Sequence, residues 1–129
     1  MKYLLAIIDD ESTWANYPPE TAKAMLDEYG AFGEAARQAG VFVGGEGLQP
    51  SATATTVRVR DGERSVTDGP FAETKEQLGG YYLLDCKDLD EAISWAARIP
   101  GAHSGSIEIR PVMVYEDAPS AQRQTEGVA

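Results

Sequence analysis

Residues 3–8 read Tyr3-Leu4-Leu5-Ala6-Ile7-Ile8, an apolar run with no polar interruption. A strand with one face in water alternates apolar and polar side chains. A run that does not alternate suits a central strand covered on both faces. The acidic triplet Asp9-Asp10-Glu11 ends it. Tyr81 to Cys86 repeats the pattern late in the chain, after Gly79-Gly80, and reads as a second strand of the same kind.

Between these strands, Pro18-Pro19-Glu20 has the form of a helix start, with proline in the first turn and an acid against the positive end of the helix dipole. Ala22, Met25, Tyr29, Phe32 and Ala36 then recur at helical spacing, and Gly40 supplies the stop. Val41-Phe42-Val43 begins another strand. Gly44, Gly45 and Gly47 within it point to a bulge or to a close approach of another group. Thr55 to Arg60 alternates, and Asp61-Gly62 is a two-residue hairpin turn with Arg64 to Thr67 as the returning arm. Asp88 with Glu91 three positions later forms a capping pair for a second helix, whose expected buried stripe is Leu89, Ile93, Ala96 and Ala97. Ile107 to Tyr115 is the last strand. Residues 1–116 are expected to form one domain, and 117–129, which lack periodicity, a flexible C-terminal tail.

Strand, helix, strand, hairpin, strand, helix, strand is the split βαβ order. It predicts an α+β, ferredoxin-like βαββαβ fold, with two helices on one face of an antiparallel sheet. The opposite face of the two doubly apolar strands would then lie in water, which soluble proteins rarely tolerate. Pairing of two sheets face to face in a homodimer is the expected remedy.

The 129 residues carry 11 basic and 21 acidic side chains, a formal net charge of −10. That balance opposes direct nucleic-acid binding, which needs a positive face. Arg58, Arg60 and Arg64 on the hairpin read as a solvated strand face. Cys86 is the one cysteine, so neither an intrachain disulfide nor a multi-cysteine metal site is expected. Tyr3–Ile8 is too short for a signal-peptide core, and no segment approaches the length of a membrane span, so a cytoplasmic location without membrane contact is expected. No phosphate loop, nucleophile elbow or zinc spacing appears, and no metal or cofactor is expected.

Asp68 to Asp85, DGPFAETKEQLGGYYLLD, resembles the signature of YCII-related proteins of the DGPF type. Gly44-Gly45-Glu46-Gly47-Leu48, Thr55-Thr56-Val57-Arg58 and Ile109-Arg110-Pro111-Val112 are similar to other stretches of that family, so the likeness spans roughly residues 1–115. The resemblance implies a dimeric α/β-barrel and little about activity. Genes of this type often neighbour those of extracytoplasmic-function sigma factors, which implies an accessory, regulatory role and a protein partner in such a pathway. Simpler members carry a proposed His-Asp pair. Here the first helix has no histidine, and the sole one, His103, falls in a loop before the last strand.

Two readings of Asp68-Gly69-Pro70-Phe71 stand side by side. In the structural one Asp68 accepts backbone N–H bonds, Gly69 takes a positive φ, Pro70 fixes the turn and Phe71 plugs the sheet. In the functional one the segment is the lip of a pocket, with Asp68, Glu73 and Lys75 pointing inward, and Asp68 or Glu73 is the acid–base group of an isomerase or lyase. Glu108 and Arg110 share one face of the last strand. With Asp68, Glu46 and Lys75 they form either an anion-binding set or a structural ion pair. Asp9, Asp10 and Glu11 read as solvated charges, and Trp14 and Tyr17 as covers of the core or shades of a pocket mouth. A small-molecule-binding or regulatory protein, a cofactor-independent enzyme and an interaction module are the functions compatible with this set.

Overall fold

In the computed structural model, which describes residues 1–115, the elements are β1 (Lys2–Asp9), α1 (Glu11–Ala15), α2 (Pro19–Gln38), β2 (Phe42–Gly47), β3 (Thr55–Arg60), β4 (Glu63–Asp68), β5 (Gln77–Asp85), α3 (Leu89–Ala96) and β6 (Ser106–Pro111). The expected tail, 117–129, lies outside the described residues. Four strands form an antiparallel sheet in the order β2-β5-β1-β6, and β3 and β4 form a separate two-stranded sheet. Without that hairpin the sheet order is the ferredoxin-like one, and the α+β expectation holds.

The pleat of β1 organises the core. Tyr3, Leu5, Ile7 and Asp9 alternate onto the helix-covered side and are all buried. Leu5 and Leu84 of β5 pack there with Phe32 and Ala36 of α2, Ala92, Trp95 and Ala96 of α3, and Ile99 beyond it. Full burial of one such large side chain contributes about 1.5–3 kcal/mol. Phe32 ties the layers together: its ring lies 4.7 Å from that of Tyr82 and meets Trp95 edge-on at 5.9 Å.

Several details depart from the sequence reading. The acidic triplet does not merely end β1, because Asp10 caps the short helix α1, accepting from the Ser12 backbone N–H at 2.9 Å and the Ser12 hydroxyl at 2.7 Å. The buried stripe of α3 is Ala92, Trp95 and Ala96, continued by Ile99, while Leu89 (50%) and Ile93 (49%) are exposed. Placing the bulky indole of Trp95 against Phe32 sets the helix's rotation, and spacing among the smaller residues could not. The capping pair of α3 does form: Asp88 accepts from the Glu91 N–H, and the Glu91 carboxylate accepts from Lys87 N–H. Strand β5 starts at Gln77, before the Gly79-Gly80 pair. Phe71 does not plug the sheet; it is 80% exposed.

The glycine-rich β2 behaves as its sequence suggests, with a register shift between Phe42 and Gly44 and no space for a side chain at Gly45, where a Cβ would stand 2.6 Å from Cδ1 of Tyr82. At the hairpin turn Asp61 (φ 52°) and Gly62 (φ 78°) both take left-handed conformations, as a type I′ turn requires.

Gly105, just before β6, sits against the end of β1. A Cβ there would fall on the Ile8 carbonyl oxygen and 2.9 Å from Cβ of Asp9. Gly105→Ala should therefore destabilise the protein by about 1–3 kcal/mol, as insertions into filled space do. Urea unfolding measures it, and an unchanged midpoint would show that β6 and the β1 terminus are not fitted to each other as described.

Candidate functional site

The alternation that buries Tyr3, Leu5 and Ile7 continues for one more residue and carries Asp9 into the protein at 8% exposure. No cation pairs with it: among the described residues the one ion pair joins the Met1 amino group to Asp85. Three donors hold the Asp9 carboxylate instead. Oδ1 accepts the Asp10 backbone N–H at 2.7 Å, and Oδ2 accepts the Ser104 hydroxyl at 2.7 Å and the Trp14 indole Nε1–H at 3.2 Å. The chain's turn into α1 brings Trp14 back over the residue at which β1 ends.

A cavity of about 510 Å³ opens beside this cluster, lined by Ile7, Asp9, Glu11, Ser12, Trp14, Ala15, Leu48, Pro50, Gln77 and Gly79. It adjoins a second of about 490 Å³ between α2 and the β2–β5 edge, whose walls include Leu26, Tyr29, Gly30, Gly33, Arg37, Phe42, Glu46 and Tyr82. Ile7, Trp14, Leu48 and Gly79 border both. Each volume falls in the range of small-molecule sites. Glu11 closes one wall by accepting the Ser51 N–H at 2.6 Å and the Ser51 hydroxyl at 2.7 Å, while its own N–H donates to Oε1 of Gln77 at 3.1 Å. At the other end the Arg37 guanidinium lies over the Phe42 ring, 4.4 Å from its centroid.

Tyr29 stands between the compartments and the core, its ring 6.0 Å from that of Trp14. Its hydroxyl is buried and has no hydrogen-bond partner among the described residues, although it lies 2.7 Å from the place a Cβ on Gly101 would occupy. Burial pushes its pKa up to about 12, against a smaller downward pull from the Gly101 backbone. Burial also raises Tyr82.

Of the residues singled out from sequence, Glu46 borders the second cavity and Lys75 a depression that Asp9 also lines, while Asp68, Glu73, Glu108 and Arg110 line neither cavity. Arg110 pairs in register with Leu4 and Glu108 with Ala6, both on the sheet face away from the helices, and both charged residues are exposed. Glu46 pairs with Tyr81 at the opposite edge. Three strand spacings, about 14 Å, separate the Glu108 and Glu46 backbones in one chain. Asp68 ends β4 on the separate hairpin sheet, opposite Thr55, and is exposed, as are Glu73 and Lys75. Lys75 borders an open polar depression with Ile8, Asp9, Asp10, Thr13, Thr74, Glu76 and Ser104. Within one chain the set does not converge. The segment after Asp68 instead closes the hairpin root: Gly69 (φ 105°) donates its N–H to the Ala54 carbonyl at 2.7 Å and accepts the Thr56 hydroxyl at 2.7 Å. His103 is exposed. Asp9 is the residue that sequence reasoning misplaced, and strand parity was the signal available to find it. Among the described residues no group of three or more His, Cys, Asp or Glu could hold a metal ion, and no helix is long and apolar enough to cross a membrane.

The sequence profile of the YCII-related domain matches residues 1–116. An uncharacterised protein of Rhizobium meliloti (strain 1021) is 38% identical over 118 residues, covering 90% of this chain and 95% of that protein.

The Tyr29 hydroxyl yields a stability prediction with a defined sign. It stays protonated in the folded protein to about pH 12, while the unfolded chain loses that proton near the ordinary value of 10.0. Over that window the folded state holds more protons, so its contribution is present below pH 10 and is lost as pH rises toward 12. Tyr29→Phe should leave stability at pH 7 unchanged or slightly higher, since it removes an unpaired buried hydroxyl, and should flatten the alkaline decline. Urea titrations at neutral pH and near pH 11 check both; a large loss at neutral pH would mean that the hydroxyl is bonded.

Proposed function

The chain belongs to the YCII-related family, and on that basis we propose that it is a small-molecule-binding accessory protein whose ligand enters the paired cavity around Trp14. One observation carries the reading: two adjoining cavities, walled by Ile7, Tyr29, Phe42 and Tyr82, meet at an indole anchored to a buried carboxylate. Apolar walls with a few convergent polar groups are the usual make-up of such sites. The enzyme reading moves with the site. Asp68 and Glu73 are exposed, so the carboxylate of an isomerase or lyase would be Asp9. Three donors already engage it, and this favours an anchoring role over proton abstraction.

The DGPF-type resemblance supports a regulatory place for this protein in the cytoplasm, in a response governed by an extracytoplasmic-function sigma factor. A homodimer through the open sheet face fits Leu4, Ile8, Tyr81 and Leu83, which stay only half-buried in one chain. In such a pair Arg110 of one copy could reach Glu46 of its partner, a contact that the sheet width of about 14 Å denies to a single chain. Light scattering at low micromolar concentration should give twice the chain mass. A monomer would overturn the pairing, and an Arg110→Met variant that dimerises as well as wild type while phosphate or citrate stabilises only wild type would replace the ion pair with an anion site.

Gly30 offers the test of the cavity. It lines the compartment beside Tyr29, and a Cβ there meets nothing within 4 Å. Gly30→Leu should fill the space and keep or raise the melting temperature, since glycine inside a helix costs about 1 kcal/mol. Ligand-observed NMR against a metabolite library should then find compounds that bind wild type and not the variant. Compounds that bind both equally would place the ligand outside the compartment beside Tyr29.

A further inference from the structure

We infer that the cavity selects organic cations: an ammonium group carried on an apolar body, with the charge seated between Asp9, Glu11 and Trp14. This rests on the cavity being the ligand site, and it adds the sign of the ligand's charge. The Trp14 compartment is lined by two carboxylates and no lysine or arginine. Both carboxylates are held by neutral donors alone, Asp9 by an amide, a hydroxyl and an indole, and Glu11 by the amide and hydroxyl of Ser51. Their hydrogen bonding is therefore largely met while no ion pair among the described residues balances their charge, although the exposed Lys75 borders the polar depression that Asp9 also lines. Such a wall attracts a cation and repels an anion of the same shape.

The indole adds a second, independent attraction. Trp14 is 39% exposed and borders both compartments, and the face of an indole is the strongest aromatic partner for a cation. Its Nε1–H donates to Asp9, which fixes the ring beside the carboxylates. The volume of about 510 Å³ admits an amine with a body of benzyl or phenethyl size. The only cationic side chain of the joined cavities, Arg37, lies in the other compartment against Phe42. A net charge of −10 also raises the local concentration of cations around the protein.

The test uses three probes of one shape: phenethylamine, 2-phenylethanol and 3-phenylpropionate. Binding to the full chain is followed by two-dimensional amide NMR and by Trp14 emission, with Trp14→Phe, which retains only the buried Trp95, as the background to subtract. The amine should bind about tenfold more tightly than the alcohol, and the carboxylate most weakly, as one ion pair or cation–π contact predicts. Glu11→Gln, which keeps an acceptor for Ser51, should narrow the gap between amine and alcohol. Asp9→Asn should do the same where it folds. Equal binding of amine and alcohol in the cavity would overturn the charge selection and leave the cavity as a ligand site. Preference for the carboxylate would reverse the inference outright. If no probe of the three moves cavity amides at millimolar concentration, the cavity itself fails as a site.

Discussion

A carboxylate taken out of water must find other donors, and at the end of β1 that demand shapes the local structure. Asp9 is carried inward by the same pleat that buries Tyr3, Leu5 and Ile7. Its needs are met from three parts of the chain: the next peptide unit, the indole of α1 and the hydroxyl of Ser104 before β6. Leaving such a group without partners would cost several kcal/mol. The chain therefore has to turn sharply at Asp10, α1 has to fold back and the loop into β6 has to pass close. Gly105 is the consequence of that last requirement, since any side chain there would strike the Ile8 carbonyl. Trp14, held by its ring nitrogen, becomes the wall between two cavities instead of another core residue.

The fold was legible because its signals are periodic and local. The unbroken run of β1, the i, i+3, i+4 spacing from Ala22 to Ala36 and the Asp61-Gly62 turn each specify an element without reference to the others. The Asp88–Glu91 pair marks the start of α3 in the same way. What the sequence left open depends on relations between elements. The rotation of α3 follows from fitting Trp95 against Phe32, a contact across more than sixty positions of chain, and no spacing within Leu89–Ala96 encodes it.

The site was less legible, and for a different reason. Polar residues flanked by glycine and proline look chemical in sequence, which drew Asp68, Glu73 and Lys75 forward. In the fold those features serve a turn: Gly69 needs its positive φ to close the hairpin root on Ala54 and Thr56. Asp9 looked like one of three solvated acids because charge runs usually are. Extending the parity of Tyr3–Leu5–Ile7 by one step separates it from Asp10 and Glu11, which lie in or next to α1. Arg110 and Glu108 were correctly placed together on one strand face, but whether a face is covered depends on the sheet's surroundings, and one chain's sequence does not contain those.

The hairpin poses the same question in stronger form. Val57 pairs with Val66, and with Val59 they stand 57–59% exposed, on a two-stranded sheet that has little else to rest on. An isolated hairpin is marginal in water, so this one depends on its root for order. That root runs through Ser51, which gives its N–H and hydroxyl to Glu11, and through Gly69 and Phe71, whose carbonyl accepts from Arg58. Glu11 and Pro50 are also cavity walls. The hairpin root and the Trp14 compartment therefore share Glu11 and the Pro50–Ser51 segment. The hydrogen bonds of Glu11 thus join a cavity wall to the root of a hairpin whose valines stand exposed.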